Sequence, residues 1–469
     1  MRAWAPIASS YIAYGTLGWV SDQVELDPAY TGGYFDAMRP VDLLADEVRQ
    51  RRETGYDVDA VVREANRIDP ADSSAVLELV DRLSLAERSP GWQYVEPDEL
   101  EDIADSLGAL PAAEAVPEPE LTDKIQAAWL GRIAGCNVGK PVESGDYWTS
   151  ERIRDYLLLA DAYPLRDYVP ALDPMPDGFR LVDCWPDTTR GNVHGSARDD
   201  DIDYAILALH LLETHGSSLR PEDVGGAWLR LFPIEQVYTA ERAAYLNLVN
   251  GFTVPEVARR RNPYREWIGA QIRGDVFGYV HAGDPWAAAR LSYQDAALSH
   301  VGNGIYGEMW AAALVAAAFT ASSPREVVER ALTVVPPQSR LAEAIRDVLA
   351  LADAGTTWET ALAAIQDRYG HYSWVHTINN AAIVAAALLW SDGDYLTGVG
   401  RVVMSGWDTD SNGATVGSVL GVLVGTRNLP EHLIAPLENR TRSALFGFDN
   451  SVISDLADRT VRLAVGGLE

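Results

Sequence analysis

Cysteine occurs only at Cys136 and Cys184 in this chain, and neither residue belongs to a Cys or His spacing pattern. A lone pair of thiols builds no disulfide framework, and without such spacing it makes no structural zinc site, so a reducing cytoplasm is the simplest setting. Basic residues are scarce as well: 38 Lys and Arg stand against 68 Asp and Glu, for a net charge of −30. So acidic a chain lacks the basic face that nucleic acid or an anionic membrane would need as a bulk partner. Long apolar runs are also missing. "MWAAALVAAAF" and "AAIVAAALLW" fall short of the roughly 20 residues that span a bilayer and read as buried helices. The opening "MRAWAPIASSYIAYGTLGWV" has polar interruptions and no clear cleavage site, which argues against a signal peptide.

Strand-like alternation is scarce too. From Leu121 onward the dominant pattern is Ala- and Leu-rich helical periodicity, broken by loops that collect Gly, Asp, Asn and Pro. Predicted helices include 122–136, 200–215, 239–249, 304–322, 376–391 and 411–425. The expected architecture is therefore all-α, a compact many-helix bundle, and no recurring pattern supports a solenoid. Residues 1–120 read as a mostly helical N-terminal extension that ends in the acidic, Pro-rich "EPDELEDIADSLGALPAAEAVPEPELTD". Such a stretch buries itself poorly, so Glu114 to Glu120 is the expected linker and 121–469 the second domain.

Chemistry concentrates in two acidic stretches. In "SARDDDIDYAILALHLL" four carboxylates, Asp199, Asp200, Asp201 and Asp203, run straight into an apolar helix. Some two hundred residues later, "SGWDTDSNGATVGSVLGVLVG" sets Asp408 and Asp410 before glycines at 413, 417, 421 and 425. That spacing lines the glycines along one side of a helix, where another helix or a ligand can come close. Asp pairs before a helix also serve as N-caps. Were the two loops to meet, however, their charges would repel unless a cation intervened. The donors are hard oxygens, with the Ser411 hydroxyl among them, which suits Mg²⁺ or Mn²⁺ and disfavours zinc.

These residues resemble the ADP-ribosylglycohydrolases, including the dinitrogenase-reductase-activating glycohydrolases, over roughly Leu121 to Ala464. "AAWLGRIAGCNVGKPVE" is similar to that family's Gly-Asp-x-x-Gly segment with a glutamate four positions on, so Gly135 and Gly139 match the glycines, Cys136 replaces the Asp and Glu143 matches the glutamate. "ARDDDIDYAILAL" resembles Thr-Asp-Asp-Thr, with Asp199 at the first Thr, Asp200 and Asp201 at the Asp positions and Ile202 at the second Thr. "WDTDSNGATVG" is similar to Asp-Thr-Asp-Thr-x-Gly-Ala, and "HVGNGIYGEMWAAAL" to the Gly-Asn-Gly loop.

The resemblance implies an orthogonal α-bundle with a binuclear magnesium or manganese site that hydrolyses a bond at C1 of a ribose. It implies one or two Mg²⁺ ions, or Mn²⁺, on Asp199, Asp200, Asp201, Asp408, Asp410 and Ser411. Glu143, Asp200 and Asp410 are the expected catalytic residues. Asn303, Gly304, Tyr306 and Gly307, with His376 and Gly417, are expected to touch substrate, although capping explains His376 and helix packing explains Gly417 about as well. Asp203 either supports the metal residues or faces solvent, and Arg198 either neutralises its neighbours or contacts a phosphate.

The expected partner is a ribosyl substrate, ADP-ribose on a protein or a small molecule, with no nucleic acid and no membrane; the sequence is silent on oligomeric state. Alternatives are the same chemistry on a nucleoside, nucleotide sugar or specialised N-riboside, or a catalytically silent ADP-ribose-binding relative. Asp199, Asp200 and Asp203 also satisfy the Asp-Asp-x-x-Asp pattern of prenyl-diphosphate enzymes, but the second motif expected there is missing. Residues 1–120 have no counterpart in the family's minimal domain.

Overall fold

Gly413, Gly417 and Gly421 fall on one face of the Thr409–Val424 helix, and that face meets Gly131 and Gly135 of the Glu118–Gly139 helix. A methyl group on Gly135 would overlap the Gly413 carbonyl oxygen, and one on Gly417 would overlap the carbonyl of Gly131. Each helical glycine costs roughly 0.5–1 kcal/mol against alanine, and the close approach of two helix backbones offsets it. The last glycine of the stripe has a different task. Gly425 ends the helix with a φ of 73°.

This computed structural model describes residues 39–468; the opening stretch, residues 1–38, and residue 469 lie outside the described residues. The chain is all-α, as its periodicity predicts. Among the described residues, the named strands are Arg440–Thr441 and Ser451–Val452, paired antiparallel. Asn303–Ala318 and Thr377–Leu389 run through the centre of the main core, with every residue of the first and all but Leu389 of the second buried. Predicted helix 304–322 stops earlier because Ser323 caps a new helix that opens on Pro324. Helices over Ser150–Leu159, Asp275–Val280 and Ile453–Gly466 were not predicted. Among the described residues, no helix is long and apolar enough to cross a membrane.

Within the N-terminal extension, Pro40–Glu53, Asp59–Ala65 and Ser73–Leu83 close over an apolar cluster of their own, with Leu44, Val62, Val76 and Leu83 at its centre. Its connection to the main body is polar and buried. Arg265 takes Glu47 at 2.8 Å and Gln50 at 2.9 Å, and Tyr264 donates to Asp46 at 2.7 Å. Ile103, from the Leu100–Ser106 helix, joins the main core. The stretch expected to be a linker is docked: the Glu114 N–H donates to the Gly283 carbonyl, and helix resumes at Glu118. A single backbone hydrogen bond to a neighbouring segment ties down the start of a stretch that composition alone cannot bury.

Candidate metal centre and active site

The glycine seam sets the site. Because Gly139 lies against the Thr409 backbone, the end of the Glu118–Gly139 helix reaches the start of the Thr409–Val424 helix, and the Thr409 hydroxyl donates to the Gly139 carbonyl at 2.9 Å. Asp199, the N-cap of the Asp200–His215 helix, accepts the Asp201 N–H at 2.9 Å. This is the capping role expected of such a residue. The two acidic loops meet: Ser411 donates to Asp201 at 3.1 Å.

Ligand atoms of Cys136, Asp199, Asp201 and Asp410 lie within 4.8 Å of one another, and so do those of Glu143, Asp408 and Asp410. Asp410 belongs to both groups. Burial and like charge lift most of these carboxyls. Asp410 is pushed up to about 6 by burial and by Asp199, and Asp200 to about 7 by the same causes. Burial, then Asp199, drives Asp201 well above the usual range; burial, then Asp410, does so for Asp408 and Glu143. Asp199 is the exception: burial pushes it up, but the Lys140 ammonium, Arg198 and the Asp201 N–H together hold it at about 2. Cys136 stays a thiol, its pKa raised by burial and by Asp199.

Carboxylates crowded so that they resist ionisation favour a bound cation, and the buried Asp201 Oδ1 accepts no hydrogen bond from the described residues. The oxygen-rich donor set fits a hard divalent ion.

Residues beyond the acidic pairs hold this arrangement. Arg132, fully buried, donates to the carbonyls of Asp201 at 2.8 Å and Ile272 at 2.5 Å and pairs with Asp275 at 2.8 Å. Asn380 Oδ1 accepts from the Asp408 N–H at 3.3 Å and from Asn412 at 2.7 Å. Lys140 is bonded to Asp199. Lys140 and Arg132 both stand inside the segment that carries the family resemblance, yet nothing in their spacing marks a role. Their function arises from the seam that turns them toward the carboxylates.

Asp203 neither reaches the ligand groups nor faces solvent; it accepts from Arg198 at 2.8 Å, Ser443 at 2.6 Å and the Ala444 N–H at 3.0 Å, anchoring the C-terminal segment. Arg198 is thereby a neutralising partner, and it also donates to the Gln236 carbonyl at 3.1 Å.

The residues expected to touch substrate have the following surroundings. Gly417 is taken up by the seam. His376 is fully buried and caps the Thr377–Leu389 helix by accepting the Ile378 N–H at 3.2 Å, its ring stacked on Tyr372. Asn303 donates to Glu96 at 2.8 Å and Glu266 at 2.9 Å, and the Tyr306 hydroxyl donates to the Pro97 carbonyl. Gly304 lies against the Arg265 backbone and His300, and Gly307 against Thr377. The Gly-Asn-Gly loop is therefore covered by the extension's segment 94–98, which its sequence did not foretell.

A helical bundle that buries two acidic loops against each other beside a glutamate defines an all-α protein with a buried carboxylate cluster that could hold a metal ion. The chain belongs to the ADP-ribosylglycohydrolase family, which residues 117–466 match. Among solved structures it is similar to one described as an ADP-ribosylglycohydrolase-related protein complex, at 18% identity, covering 74% of this chain and 99% of that chain with a TM-score of 0.44. No curated protein matches it.

Proposed function

We propose that the protein is a metal-dependent hydrolase that cleaves a glycosidic bond at C1 of a ribose, with ADP-ribose carried on a protein or a small molecule as the leading substrate. The observation that carries this reading is the meeting of Asp199–Asp201 with Asp408–Ser411 next to Glu143, in a chain of this family. Asp199, Asp200, Asp201, Asp408, Asp410 and Ser411 would hold Mg²⁺ or Mn²⁺. When bound, such an ion orients the ribose diol and lowers the pKa of a ligated water.

The protein's own groups supply the remainder. Negative charge from Asp200 and Asp410 stabilises an oxocarbenium-like transition state. Glu143 is half-buried and its carboxyl is held protonated by burial and by Asp410, so it has a proton to give or exchange near the ribose.

One observation favours a second reading, the same chemistry on a different riboside. Segment 94–98 covers Asn303 and Tyr306, so the loop expected to touch substrate is packed by residues outside the family match.

Calorimetric titration of Mg²⁺ or Mn²⁺, with and without ADP-ribose, tests both readings against Asp410→Ala. Metal binding lost in the variant, and ADP-ribose binding that requires metal in the wild type, is the expected result. Metal binding without any response to ADP-ribose favours the second reading; no metal binding defeats both.

A further inference from the structure

Asp199 divides its carboxylate between two partners: one oxygen accepts the Asp201 N–H and the other the Lys140 ammonium. Lys140 opens the short turn Lys140–Val142, and with Gly139 packed on Thr409 the turn is pinned beside Asp410. Only 6% of Lys140 is exposed. A buried ammonium is retained where carboxylates surround it, and here its charge acts on Asp199, Asp410, Asp200 and Glu143.

The two ligand groups that share Asp410 are therefore unequal. The group of Cys136, Asp199, Asp201 and Asp410 contains a cysteine sulfur, a soft donor poorly matched to a hard cation, and a carboxylate already bonded to a resident cation. In addition, Asp201 is engaged by Arg132 at 3.5 Å and by Ser411. The group of Glu143, Asp408 and Asp410 consists wholly of carboxylates, and among the described residues no lysine or arginine is bonded to it.

Resting on the reading above that the centre binds a divalent ion, we infer that this protein takes a single Mg²⁺ or Mn²⁺, on Asp408 and Asp410 beside Glu143, with the Lys140 ammonium in the place of a second cation. Lys140 is a positioning residue: bonded to one oxygen of Asp199, it aims that carboxylate at the centre and balances its charge. Cys136 and Lys140 act as a pair, because a carboxylate at 136 would call for more positive charge than one ammonium supplies.

The test is Mn²⁺ stoichiometry on the full chain, by calorimetry and by electron paramagnetic resonance. Wild type is expected to bind one Mn²⁺ per chain and to show the hyperfine pattern of an isolated ion. The double variant Cys136→Asp with Lys140→Ala is expected to bind two and to show exchange coupling, while Lys140→Arg stays at one. The wild-type count requires no variant to fold, and circular dichroism verifies the others. Two ions in wild type, or one in a folded double variant, overturns the inference and leaves the metal reading standing. No ion in any of the proteins overturns both.

Discussion

Ser411 donates its hydroxyl to Asp201 across 3.1 Å and so joins two acidic loops that lie 210 residues apart in the chain. A hydrogen bond to a charged group contributes roughly 1.5–3 kcal/mol. Ser411→Ala should therefore weaken metal binding about tenfold while leaving the helical signal unchanged. Calorimetric titration checks it, and an unaltered affinity would mean that the loops are aligned by the glycine seam alone.

Asp408→Ala and Asp410→Ala should both abolish metal-dependent turnover in folded protein, since Asp410 stands in both ligand groups and Asp408 in one. Glu143→Gln separates catalysis from metal binding: its kcat should fall by about 10²-fold or more with metal affinity changed far less. A loss confined to metal binding would instead make Glu143 a ligand.

The seam makes a stability prediction. Gly135→Ala places a methyl group on the Gly413 carbonyl, and prying two packed helices apart costs about 1–3 kcal/mol or more. Thermal melts should show a lowered Tm together with weakened metal binding, because the seam also aligns the acidic loops. Gly466→Ala is the control, since a methyl group there meets nothing.

Arg340 binds Glu96 at 2.9 Å and Glu266 at 2.6 Å, and all three are buried. Removing one partner from a buried pair costs about 3–5 kcal/mol, because the other charges stay behind uncompensated. Arg340→Met should lower the urea midpoint and open segment 94–98 to limited proteolysis. Normal resistance to protease would show that Asn303 and Tyr306 hold the segment without it.

Glu241 predicts a pH dependence. Burial raises its pKa from 4.5 to about 7, despite the Arg273 guanidinium at 2.9 Å. Between those values the folded chain keeps a proton that the unfolded chain has released. Its contribution to stability is therefore complete below the unfolded pKa and is lost as pH climbs through the folded one, a change of about 3 kcal/mol. Glu241→Gln has no such proton, so its Tm relative to wild type should rise between about pH 5 and about pH 8. A constant difference would place the titration elsewhere.

The all-α class was legible from periodicity, and the Asp200–His215 and Thr239–Val249 helices carry the predicted bounds. Both acidic loops stood out because four carboxylates in five positions have few bland explanations. The roles of the glycines and of His376 stayed open, since four-residue spacing and a residue before a helix say nothing of what packs opposite. Arg132 and Lys140 were illegible for a related reason: single polar residues in apolar helices or turns acquire a role only when another segment arrives. The covering of Asn303 and Tyr306 depends on Glu96 and Pro97, some two hundred positions away.

That cover bears on how the protein can be divided. A fragment begun where the family match begins, at residue 117, would retain Arg265, Glu266 and Arg340 but discard Glu47, Gln50 and Glu96, which bind them. The cut surface would carry charges stripped of their partners as well as the apolar site that Ile103 fills, so added salt alone would not rescue it. The boundary that sequence comparison draws is in this respect a boundary of ancestry, and the unit that must be expressed intact is larger.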